Sequence, residues 1–282
     1  MNPTFGQPSA RQKDVTATRA IPGHLRDDSP SFPIGEPMEM PRRTALGAAA
    51  LAGAAIALPR TPASAQPDAL IFPASPVSKA ARELLDTAVG PAVRNHSIRG
   101  FLFARAVAGA HGLRPGADYD EEVMYLICAL HDISLGDMAN GRQRFEMDSA
   151  DFAAEFLERN GVTDSRVETV WDAIAGHTSG FSDSPVYRRR RPAEIWIAVE
   201  GIGIDIGGGP TDLPPGYADL VHAAYPRLGG TRALTTIMED QVLADPRKAF
   251  PSSLATEIVR QRHPEVSYPT WDEIIDSSGW KD

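Results

Sequence analysis

From Ser75 to Arg262 the apolar residues recur at helical spacing, and no run alternates with period two long enough to demand a strand. That patterning leaves few architectures open, because helices of this kind bury their apolar faces only against one another. Ser75-Pro76 supplies an N-cap and a first-turn proline for a helix through Leu84-Leu85 that ends near Gly90. A second helix runs from Pro91 to Ala110, and a third opens on Tyr119-Asp120-Glu121-Glu122 and carries Val123, Leu126, Ile127 and Leu130 inward. Glu146 to Asn160 is the fourth, stopped by Gly161, and a fifth is capped by Thr163 or Asp164 and runs to His177. Further helices are expected from Pro192 to the glycines at 207–209, over 214–224, 231–244 and 252–262, with a short last turn near Trp271. One all-α helical bundle over residues 66–282, with its core at about 75–245, is the economical reading.

The first 65 residues read as a leader. Arg42-Arg43 precedes an uncharged run from Thr44 to Pro59, and Ala63-Ser64-Ala65 follows, which is the order of basic region, apolar region and cleavage site. The arginine pair before a weakly hydrophobic run resembles a twin-arginine (Tat) export signal. The run falls short of the roughly 20 strongly apolar residues that span a bilayer, so no stable membrane insertion is expected after cleavage. Cleavage after Ala65 would release the domain to the periplasm or the medium. Residues 1–37, rich in Pro, Ser and charge, read as a disordered extension, and Met38 or Met40 is a more usual start for such a signal than Met1.

Charge narrows the partners. A formal net charge of −9 argues against a nucleic-acid or anionic-membrane partner and leaves a small molecule as the expected one. The single cysteine, Cys128, cannot form an internal disulfide and lies mid-run in an apolar helix as a core filler. Nothing in the sequence fixes an oligomeric state.

One stretch is out of character. In LICALHDISLGD an apolar run, patterned for a core, ends on His131 and Asp132. Burying an unpartnered carboxylate costs several kcal/mol, so a hydrogen bond or a metal ion must compensate it. His96 lies in RNHSIRGFLFARA, on a face that Phe101, Phe103 and Val107 mark as inward, and Asp205 interrupts the apolar helix IWIAVEGIGIDIGGG. Two imidazoles and two carboxylates on three helices make an N/O donor set for a divalent transition metal with open positions for water.

These residues resemble the HD superfamily of metal-dependent hydrolases. His96, His131, Asp132 and Asp205 match its H…HD…D ligand pattern. The segments NHSIRGFLFA, ICALHDIS, RFEMDSADFAAEFLERNG, VWDAIAGHTSGF, GIDIGG and AAYPRLGG resemble, in order, the cyanamide hydratase-like branch. The resemblance implies an HD fold and one divalent metal, zinc by likeness to the hydratases, with iron or manganese as alternatives. It also implies that hydroxide generated on that ion attacks a small nitrile- or cyanamide-like electrophile. It places His177 close to the metal as a proton shuttle or substrate contact, and Glu146 as a buried partner that orients a ligand imidazole. The usual HDIG is broken by Ser134, which puts the geometry of that loop in question.

Two other functions compete. The wider superfamily implies phosphomonoester or nucleotide hydrolysis, which needs positive charge near the metal. The run Arg188 to Arg191, read as a loop, is the dense supply, with Arg189 and Arg190 as candidate anion-binding residues. A non-catalytic exported protein that binds a metal or ligand is the second alternative. His111, His222 and His263 read as a helix cap and surface residues, and GIGIDIGGG lacks the third glycine and preceding strand of a dinucleotide fingerprint.

Overall fold

The computed structural model describes residues 70–280, so the leader expected over 1–65 lies outside the described residues. Within them the chain forms eleven α-helices and no strand. They are α1 (Pro76–Ala88), α2 (Pro91–Ala110), α3 (Glu121–Leu130), α4 (Phe145–Arg159), α5 (Arg166–Gly176) and α6 (Pro185–Arg190). After these come α7 (Ala193–Gly207), α8 (Tyr217–Ala224), α9 (Gly230–Ala244), α10 (Leu254–Arg262) and α11 (Trp271–Asp276). None of the described helices is long and apolar enough to cross a membrane.

The helix boundaries follow from local chemistry. Ser75 caps α1, its hydroxyl accepting from the Ser78 amide at 3.1 Å, and Pro76 and Pro91 occupy first-turn positions where a missing N–H costs nothing. Asp120 caps α3 by accepting from the amides of Glu122 and Val123 at 2.9 and 3.1 Å.

The expected loop at Arg188–Arg191 is instead a helix. Ser184 caps α6 by accepting from the Tyr187 amide, with Pro185 at its first position, and Arg191 is the C-cap.

Three helices set the centre. Every residue of α3 from Val123 to Leu130 is buried, and α2 buries His96 through Ala104 without a break, so neither has a solvent face there. The third, α7, crosses α2 closely. A Cβ on Gly201 would stand 2.4 Å from the Ala104 nitrogen and 2.5 Å from the Gly100 oxygen, so only glycine permits this approach. The helices run antiparallel at that crossing. One turn before Gly100 on α2 therefore meets one turn after Gly201 on α7, and those positions hold His96 and Asp205.

A smaller apolar cluster of Val93, Leu135, Phe145, Leu234 and Met238 ties α9 beneath the site. Beside it Lys248, 3% exposed, donates to Asp148 and to the Gly141 carbonyl, anchoring the C-terminal helices to α4 and the turn before it.

Candidate metal centre

Three histidines at this centre use the same local device or its equivalent. His131 is the C-cap of α3, and its Nδ1 lies 2.8 Å from the Cys128 carbonyl, three residues back. A carbonyl oxygen only accepts, so Nδ1 carries the hydrogen and Nε2 keeps a lone pair. His177 caps α5 in the same way, with Nδ1 2.7 Å from the Ile174 carbonyl. On α2 the acceptor is a side chain: His96 Nδ1 is 2.7 Å from Asp205 Oδ2.

The freed acceptors converge. His96 Nε2 and His131 Nε2 stand 3.2 Å apart, and Asp132 Oδ2 is 3.2 Å from the second and 3.6 Å from the first. Ligands held about 2.0–2.2 Å from a tetrahedral ion are separated by roughly 3.3–3.6 Å, so these three atoms already have the spacing of three ligands around one cation. His96, His131 and Asp132 form the group able to hold a metal ion among the described residues. All three are buried, so little water is present to screen their mutual repulsion. Burial alone would push protons off His131, yet the Asp132 carboxylate beside it prevails and raises its pKa. Burial alone would likewise raise Asp132, but His131, His96 and His177 hold it well below the usual carboxylate range. The donor set fits a borderline divalent ion and leaves a fourth position open.

Asp205 is brought to the centre on the far edge of His96, and there the geometry departs from the four-ligand expectation. Both its oxygens are engaged. Arg99 donates Nε to Oδ1 at 2.8 Å and Nη2 to Oδ2 at 2.7 Å, and Arg227 donates Nη1 to Oδ1 at 3.2 Å. These bonds and the His96 hydrogen overcome burial and keep Asp205 ionised far below the normal range. Arg99, fully buried, spends its remaining nitrogen on the Tyr225 and Pro226 carbonyls at 3.1 and 3.0 Å. The turn that presents those carbonyls and Arg227 contains Leu228 at φ 48°, a left-handed conformation that costs a non-glycine residue about 1–2 kcal/mol. Arg99 and Arg227 had not stood out in the sequence. For Arg99 the available signal was a charged residue three positions after His96 on the face that Phe101, Phe103 and Val107 mark as inward.

The other expected residues divide. His177 Nε2 lies 3.8 Å from Asp132 Oδ1, and its ring meets that of His131 edge-on at 5.1 Å. Burial, reinforced by His131, lowers its pKa to about 4, so it stands neutral with an open lone pair beside the ligand group. Glu146 was expected to orient an imidazole; the structure gives its carboxylate to the Thr178 hydroxyl instead. Arg189 and Arg190 are exposed on α6, and no contact joins them to the centre. Their neighbours are committed, Arg188 to Glu200 at 3.1 Å and Arg191 to Asp172 at 2.8 Å. Asn95 is buried and donates to the Pro226 carbonyl at 2.9 Å.

Ser134 resolves the departure from HDIG. It lies in a short 3-10 turn, Ile133–Leu135, with no left-handed backbone, so glycine's freedom is not required. Its hydroxyl donates to the Phe145 carbonyl at 2.8 Å and accepts from Ser149 at 2.9 Å, while Gln241 donates to its carbonyl at 2.7 Å. The serine pins the turn beneath the His-Asp pair to α4 and α9.

Comparison with known proteins identifies the family. The HD domain family matches residues 93–202, the interval from the start of α2 to the α7 crossing. Two cyanamide hydratases of Saccharomyces cerevisiae, DDI2 and DDI3, are each 30% identical over 175 residues, covering 60% of this chain and 74% of theirs. The chain thus belongs to the HD-domain family, as a cyanamide hydratase-like, metal-dependent hydrolase or hydro-lyase.

Proposed function

We propose that the protein adds water to a small nitrile-like substrate, converting R–C≡N to R–C(=O)–NH2, on one divalent ion held by His96, His131 and Asp132. The observation that carries this reading is the meeting of two imidazole Nε2 atoms and a carboxylate oxygen at 3.2–3.6 Å. When bound, the ion supplies Lewis acidity, lowering the pKa of a bound water from 15.7 toward about 7 and polarising an electrophile beside it. Zinc is the proposed metal, because three protein donors with one open position is its catalytic arrangement.

The chain's own residues then have separate tasks. Asp205 fixes the ring and tautomer of His96, with Arg99 and Arg227 holding the carboxylate in place. Neutral His177 accepts the proton of the attacking water at Nε2 and returns it to the nitrile nitrogen as the carbon–oxygen bond forms and one carbon–nitrogen π bond opens, giving R–C(OH)=NH, whose hydroxyl hydrogen then moves to nitrogen to complete R–C(=O)–NH2. The same atoms leave little for a phosphate: the arginines nearest the centre are bound to Asp205, and Arg189 and Arg190 face solvent. The Arg42-Arg43 leader supports placing this activity outside the cytoplasm.

The test is a substrate panel of cyanamide, small nitriles, nucleoside monophosphates and phosphodiesters, run on the zinc-loaded protein. Turnover of cyanamide or a nitrile with none of the phosphate compounds is expected. Phosphate release with no nitrile turnover contradicts the reading.

A further inference from the structure

Between α8 and α9 the chain makes one short turn, Tyr225 to Gly229, and the support of Asp205 depends on it. The Tyr225 and Pro226 carbonyls accept from Arg99 Nη1 at 3.1 and 3.0 Å, and Arg227 donates to Asp205. The buried Asn95 amide also reaches the Pro226 carbonyl, at 2.9 Å. Yet the turn has little burial of its own. Pro226, Leu228 and Gly229 are exposed, and Leu228 and Gly229 both have positive φ, 48° and 92°. A strained, solvated turn keeps one conformation only when its surroundings impose it.

One side chain of the turn does pack inward. The Tyr225 ring lies against the main apolar core, and there it meets residues from the start of the described chain. Phe72 contacts it edge-on, with ring centres 6.2 Å apart. Arg82 on α1 lies 5.0 Å from the Phe72 ring centre and 5.7 Å from that of Tyr225, within cation–π reach of both. Phe72 is itself fixed. Phe101 and Tyr125 hold its ring at 5.6 and 6.0 Å, and Arg105 donates to the neighbouring Ile71 carbonyl at 3.2 Å. Phe101 belongs to α2, so Phe72 bridges the helix that carries His96 and Arg99 to the turn that receives Arg99.

We propose that Phe72 is a positioning residue of the metal centre. With Arg82 it clamps Tyr225 and so sets the turn whose carbonyls hold Arg99 and whose Arg227 holds Asp205. Through Asp205 it fixes the ring of His96. The inference rests on the metal centre proposed above, and not on the substrate that centre serves.

The experiment measures zinc affinity by chelator competition, with Tm in parallel to confirm that each variant is folded. Phe72→Ala is expected to weaken zinc binding about tenfold, while Phe72→Tyr, which keeps the ring, stays within about twofold of the wild type. Phe72→Ala is then repeated in the Asp205→Asn background. Because the contacts run through Asp205, the second loss should be much smaller than the first. A residue that only stabilised the fold would cost the same in both backgrounds. Unchanged affinity in folded Phe72→Ala, or losses that multiply in full, overturns the proposal. Should Phe72→Ala not fold, Arg82→Met removes the cation of the clamp and makes the same two tests, with the same results decisive against it. A wild-type protein that takes up no zinc fails the metal centre itself, and the role of Phe72 falls with it.

Discussion

His96 Nε2 and His131 Nε2 face each other at 3.2 Å, each ring having already given its Nδ1 hydrogen to an acceptor behind it. Two acceptors that close are stable only around something positive. With Asp132 closing the third side, the cluster is one that could hold a metal ion. Substituting His131→Ala leaves one imidazole and one carboxylate, too few to retain a transition metal through dialysis. Metal content by atomic emission should drop from about one equivalent to near zero, with activity lost in parallel. A variant that keeps its metal would show that the ion is held elsewhere.

Asp205→Asn separates orientation from coordination. An asparagine can accept from the His96 Nδ1 hydrogen but gives Arg99 only one neutral oxygen. Metal affinity in a chelator competition should weaken about 10–100-fold and remain measurable, as expected for a residue acting through a ligand. Leaving Arg99 buried without its counter-charge should also cost about 3–5 kcal/mol of stability, seen in chemical denaturation. Metal loss as complete as in His131→Ala would instead make Asp205 a direct ligand.

His177→Gln should retain the metal and lower kcat by about 10²–10⁴, the usual contribution of a positioned proton carrier. The imidazole also leaves a signature in the metal-free protein. Its pKa is about 4 when folded and about 6.5 when unfolded, so between those values the unfolded chain binds the extra proton. Stability contributed at this position is intact above pH 6.5 and is lost as pH falls toward 4. The drop in Tm of the metal-free protein between pH 7 and 4.5 should therefore be shallower in His177→Gln than in the wild type.

Much of this was legible in the sequence. An apolar helix with no polar face favours an end inside the protein, and the His131-Asp132 pair at its end is buried there. The side of His96 on which Asp205 falls was not legible, because it depends on the antiparallel register set by the Gly100–Gly201 crossing, a contact between distant segments. Glu146 was recognised as a buried acid, but its partner on α5 depends on how α4 and α5 pack. The α6 helix is a different case: Ser184-Pro185 is a cap-and-proline start of the kind used to read α1, and the four arginines after it drew the reading toward a loop. Lys248 and Asp148 pair across 100 residues with no local pattern to announce it.

X-ray absorption spectroscopy at the zinc edge of the zinc-loaded wild-type protein tests the centre most directly, because it counts ligands without recourse to activity. The account predicts four light-atom neighbours at about 2.0–2.1 Å, with outer-shell scattering from two imidazoles and the remaining neighbours oxygen. Scattering from one imidazole or none, or from three, would contradict a site built from His96, His131 and Asp132.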